Sequence, residues 1–157
     1  MKDERYILVI ADGSKEMEVA LQYACARSKK TNRKIIIATF IEPVDVLTTQ
    51  GVTEIMQNEA REEAEKKLQH ASSIVKEATG VMPVLHLREG NIIKELKALI
   101  EEEKSINVLV LAANIDEKET NPGHIINSLL TKELTNFRIP IMIVPGNFSK
   151  EHISHIT

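Results

Sequence analysis

The sequence predicts a three-layer, doubly wound α/β fold, a five-stranded parallel sheet with four helices. Three observations carry this. Five short runs rich in Ile and Val are mostly continuous rather than alternating, as strands buried on both faces require. Stretches with helical spacing separate them, so strand and helix alternate along the chain. Right-handed crossovers between parallel strands then place helices on both faces of one sheet.

The elements follow in order. Residues 6–11 form the first strand. In the first helix Met17, Ala20, Leu21, Ala24 and Cys25 make a single apolar stripe at helical spacing. Residues 34–41 form the second strand. The second helix spans about residues 52–78, with Ala60, Ala64, Leu68, Ala71, Ile74, Val75 and Ala78 on one face. Its other face offers the pairs Glu62–Lys66 and Glu63–Lys67, each contributing about 0.2–0.5 kcal/mol if closed. The third strand covers residues 82–87. Asn91 then caps a third helix over residues 91–104, because its side chain can accept from an orphan amide. The fourth strand is residues 106–113. Asn121-Pro122 opens a fourth helix over residues 122–137, proline being suited to the first helical position. That helix stops before Pro140, and a proline can open a strand but not sit within a central one. The fifth strand therefore runs from Ile139 to Val144. Residues 1–146 form one domain, and residues 147–157 a polar, loose tail.

Composition excludes several functions. Lys and Arg number 20 against 23 Asp and Glu, so no electrostatic footprint for nucleic acid or an anionic membrane is present. With three Phe, two Tyr and no Trp, there is little to stack single-stranded bases on. Cys25 is the only cysteine, which excludes an intrachain disulfide and a Cys-rich zinc site. No apolar run approaches the roughly 20 residues of a membrane helix, and no signal-peptide core follows the N-terminus. A cytoplasmic location is expected. No P-loop and no G-x-S-x-G elbow exist, and Asp12 stands alone where a receiver domain clusters acids. The expectation is a protein that is not an enzyme and holds no metal.

The best candidate site is the loop after the first strand, Asp12-Gly13-Ser14. Ligands of open α/β sheets bind beyond the carboxyl ends of the strands. Gly13 allows a tight turn, Ser14 caps the helix, and Asp12 projects a carboxylate. A plain strand-to-helix turn has equal weight on these residues alone.

Ile7-Leu8-Val9-Ile10-Ala11-Asp12-Gly13-Ser14 resembles the opening of a universal stress protein. Residues 35–43 are similar to that family's second strand and exit. Arg88-Glu89-Gly90-Asn91 resembles its turn into the third helix, and Ile139-Pro140-Ile141 its last strand. The likeness covers residues 5–146. It implies a Rossmann-like sheet of order 3-2-1-4-5, a stress-response role, and a homodimer paired through the Ile139–Val144 edge strand. Such pairing removes the liability of an unpaired apolar edge.

The family's nucleotide-binding branch carries a glycine signature after the fourth strand. Aligned here, its glycines fall on Ala112, Ile115 and Asn127 and its hydroxyl residue on Ser128, so only the hydroxyl remains. Backbone amides at such glycines approach the phosphates, and Ile115 obstructs that approach. The acidic run Asp116-Glu117-Lys118-Glu119 adds repulsion. Gly123 substitutes only if the loop is rebuilt, which the spacing does not predict. The resemblance thus implies a non-catalytic regulator working through dimerisation and protein contacts. The alternative is an ATP or AMP sensor with Asp12, Phe40, Ala112, Asn114, Asn127 and Ser128 about the nucleotide and Thr39 beside Phe40. The other candidates weigh less. His152 and His155 read as solvated tail residues, His124 as a solvent-facing helix start, His86 as a strand residue, and Cys25 as a small buried hydrophobe.

Overall fold

The computed structural model describes residues 4–43, 50–114 and 123–157. The strands are β1 (Tyr6–Ile10), β2 (Lys34–Ile41), β3 (Val84–Glu89), β4 (Ile106–Ala113) and β5 (Ile141–Pro145). They form one parallel sheet in the order β3-β2-β1-β4-β5. The helices are α1 (Lys15–Thr31), α2 (Gln50–Thr79), α3 (Ile92–Glu102), α4 (His124–Ser128) and α5 (Lys150–Ile156). The described residues thus hold five α-helices, not four.

Two apolar layers enclose the sheet. On one face Ile7, Val9, Ile35, Ile37, Val108 and Val110 pack under the α1 stripe and under Leu68, Ala71 and Val75 of α2. On the other face Leu8, Ile10, Ile36, Leu109 and Leu111 pack against Leu96, Leu99 and Ile100 of α3 and against Ile126 and Leu129. Continuous apolar runs in β1, β2 and β4 follow, because both faces are covered. The outer strands differ: Val84 and Leu85 of β3 and Ile143 of β5 are exposed. Position in the sheet, which composition does not encode, decides this.

Caps fix the helix starts. The Ser14 hydroxyl accepts from the Met17 amide at 3.3 Å, and Asn91 accepts from the Lys94 amide at 3.1 Å, as its position predicts. The tail is a helix because Ser149 accepts from the His152 amide at 3.1 Å and Ile153 is buried. This α5 packs on α1. The fourth helix is also broken. After α4 come a π-helical turn, Leu129–Glu133, and a 3-10 turn, Leu134–Asn136. The Thr131 hydroxyl donates to the Asn127 carbonyl at 2.7 Å, and such back-bonding competes with the regular ladder. The Asn121-Pro122 start lies outside the described residues. In β5, Ile139 and Pro140 precede the strand, although the Pro140 carbonyl accepts from the Leu109 amide at 3.1 Å.

Neither charge pair expected on α2 closes. Arg61 instead reaches Glu89 at 3.1 Å and Glu65 at 3.9 Å. The Arg88 guanidinium donates to both oxygens of Glu102, at 2.8 and 2.9 Å, and holds that carboxyl below its ordinary value of 4.5. Hydrogen bonds from Lys104 and from Lys34 lower Glu101 and Glu4 in the same way. A carboxyl depressed in the folded state contributes stability above its unfolded pKa and loses it as pH falls through the folded one. The melting temperature is therefore expected to fall as pH drops below about 4.5, and to fall less in Glu102→Gln. Equal acid slopes in the two proteins would refute this linkage. The effect is small and salt-sensitive, since these carboxylates face solvent.

Candidate functional site

Sheet order reverses between β1 and β4, and a crevice must open where the crossovers diverge. A cleft of about 230 Å³ lies there, lined by Asp12, Ser14, Glu16, Ala112, Gly123 and Ile126 among others. The loop that builds it is tightly bonded. Asp12 Oδ1 accepts from the Ser14 amide at 2.9 Å and from the Ser14 hydroxyl at 2.6 Å, while that hydroxyl caps α1. Gly13 sits at φ 78° with the Lys67 side chain against it, and a Cβ there would lie 2.9 Å from Lys67 Cε. Thr39 is buried and donates to the Ala11 carbonyl at 2.6 Å, tying the end of β2 to the exit of β1. Gly146 lies against Glu16 and the end of β4. Its amide donates to the Ala113 carbonyl at 3.0 Å.

The structure brings Asp12 and Ala112 to this cleft. Phe40 is half-buried and packs into the α3 layer instead. Asn114 follows β4, Asn127 is exposed on α4, and Ser128 ends that helix; none of the three lines the cleft. Ile115 and the acidic run 116–119 lie outside the described residues. Gly123, at φ 132°, stands at the entrance to α4 and lines the cleft. Counting back from β5 assumed one regular helix, and the π-helical turn spoils that count. Glu16 also lines the cleft and is absent from the expected residues; its place in the first turn of α1, next to the Asp12 loop, is a usable signal.

Electrostatics limits what the cleft can hold. Asp12 and Glu16 are both carboxylates, and no Lys or Arg is among its described lining residues. Acceptors of this kind suit hydroxyl donors and repel phosphate. The other titratable groups are elsewhere. Cys25 is buried, and burial pushes its thiol up to about 11. His152 stacks edge-on against Phe148 at 4.6 Å, and His86 lies within β3. No group of three or more metal-ligating side chains occurs among the described residues. No described helix is long and apolar enough to cross a membrane.

The model of the universal stress protein family matches residues 5–145. The chain belongs to the universal stress protein family. Solved members of similar fold include one from Burkholderia pseudomallei, 20% identical with a TM-score of 0.69, covering 92% of this chain and 98% of the other. A universal stress protein in complex with cAMP is 22% identical, with a TM-score of 0.62 and coverage of 92% and 98%. One from Archaeoglobus fulgidus in complex with dAMP is 14% identical, with a TM-score of 0.63 and coverage of 90% and 97%. No curated protein matches this chain significantly. The universal stress protein fold thus accounts for the strand order, including the reversal that makes the cleft.

Proposed function

We propose that this universal stress protein is a non-catalytic stress-response regulator that works as a homodimer and through protein contacts. The supporting observation is the β5 edge. β5 pairs only with β4 among the described strands, and Ile143 is exposed there. Leu130 and Leu134, on the segment leading into β5, are exposed as well. An open apolar edge is relieved by a second copy. Ile141, where a charge also tests the idea, is packed into the core; Ile143 is therefore the cleaner probe. The wild type is expected to elute at twice the 17.6 kDa chain mass in size-exclusion light scattering. Ile143→Lys should give a folded monomer. A dimer of unchanged strength in the variant defeats the β5 assembly.

A second reading is an adenine-nucleotide sensor. It is favoured by the cleft at the strand-order reversal and by the relatives solved with cAMP and dAMP. Asp12 would accept from a sugar hydroxyl. Phosphates would extend away from Asp12 and Glu16, so AMP is expected to bind more tightly than magnesium-ATP in calorimetric titration, and Asp12→Ala to abolish the heat. Silence with both nucleotides eliminates the sensor reading and leaves the regulator.

A further inference from the structure

A second, larger cleft among the described residues is at the other end of the sheet. It encloses about 610 Å³ between the amino ends of β1, β2 and β3 and the final turns of α1 and α2. Its charge runs against that of the chain. The whole sequence carries a formal −3, yet this cleft is lined by Arg5, Lys29, Arg33 and Lys34 with Glu4 as the sole carboxylate among its described lining. Glu4 is already neutralised, since Lys34 bonds it at 2.9 Å and the Tyr6 hydroxyl donates to it at 3.2 Å. Arg5, Lys29 and Arg33 have no carboxylate within ion-pair distance among the described residues. Three cations therefore line one cavity with no ion-pair partner among the described residues.

The rest of the cavity is apolar. Ile35 and Val75 are buried at its floor, while Val81 and Met82 stand in its wall, 55% and 58% exposed. Large apolar side chains left that open beside unpaired cations describe a site with two halves. Guanidinium groups match the oxygens of a carboxylate or phosphate. The methionine and valine side chains match an aliphatic chain, and the methionine can adapt its shape to it. The volume falls within the roughly 300–1,000 Å³ of small-molecule sites.

We propose that this basal cleft binds an amphiphilic anion, an aliphatic chain ending in a phosphate or carboxylate. Its head group lies among Arg5, Lys29 and Arg33 and its chain against Val81 and Met82. A free anion would leave the apolar wall in water, and an uncharged chain would leave the cations without a counter-charge. The site is remote from Asp12 and does not depend on nucleotide binding or on the β5 assembly.

The test is calorimetric titration of the full chain with octyl phosphate below its micellar concentration, beside inorganic phosphate and octanol as separate ligands. Octyl phosphate is expected to bind about tenfold or more tightly than either, and decanoate to compete with it. The double variant Arg5→Gln/Arg33→Gln should lose about tenfold in affinity and Met82→Ser a smaller part, whereas Asp12→Ala and Ile143→Lys should leave it unchanged. Amide shifts should concentrate in residues 28–35 and 75–83. Equal binding of inorganic phosphate would mean a bare anion patch, and equal binding of octanol a bare apolar one; either overturns the proposal. So does an absence of binding, or a folded double variant that binds as the wild type does.

Discussion

Leu109→Ala is expected to lower the unfolding free energy by about 2–5 kcal/mol, the range for deleting a buried leucine side chain. Leu109 is fully buried in central strand β4, flanked by Leu8 of β1 and Ile141 of β5. Its side chain enters the layer that Leu96, Leu99 and Leu129 complete. A strand paired on both sides cannot shift to fill the space without disturbing two ladders, so collapse is limited and the cavity remains. Ile55 of α2 is the control, since it is 59% exposed and its truncation should cost no more than about 0.5 kcal/mol. Urea unfolding should give a lower midpoint for Leu109→Ala with an unchanged slope, the sign of a stability change alone. Equal midpoints for the two variants would show that the α3 layer is not close-packed.

Gly146→Ala is the second large effect, expected at about 1–3 kcal/mol for a contact forced into filled space. A Cβ at Gly146 would overlap the Ala113 carbonyl oxygen and lie 2.8 Å from Glu16 Cβ. The backbone partner cannot rotate away as a side chain would. Either the bond from the Gly146 amide to Ala113 breaks, or β4 and α1 separate at their cleft ends. The change should therefore do more than shift the midpoint. Amide shifts at Asp12, Ser14 and Glu16 should move with it, and a loss of stability without those shifts would remove Gly146 from the architecture of the cleft.

Much of this fold was legible because its strongest signals are local. The apolar runs of β1, β2 and β4 needed no tertiary knowledge, and neither did the stripe from Met17 to Cys25 or the Asn91 cap. What escaped depends on context. Val84 and Leu85 have the composition of a central strand, and only sheet order exposes them. Helix α5 is too short to be stable alone and exists because Ile153 finds a place against α1; the Ser149 cap was its one local sign. The Thr131 back-bond cannot be read as a helix fault until the helix is built. Asn127 and Ser128, placed by assuming a regular helix there, are not among the residues lining the cleft. Asp12 and Ala112 do line the cleft, because their positions follow from strand ends, which the runs themselves mark.

The tail helix has one more consequence. Cys25 and Ile153 line the same depression, about 550 Å³ between α1, α2 and α5. Ile153 is the only buried residue of α5, which places that helix among the segments that open before the rest of the protein unfolds. While it is docked, the Cys25 thiol is both shielded and kept protonated. Opening of α5 would remove Ile153 from the wall of that depression. The accessibility of the single cysteine is thereby expected to follow the opening of this two-turn helix.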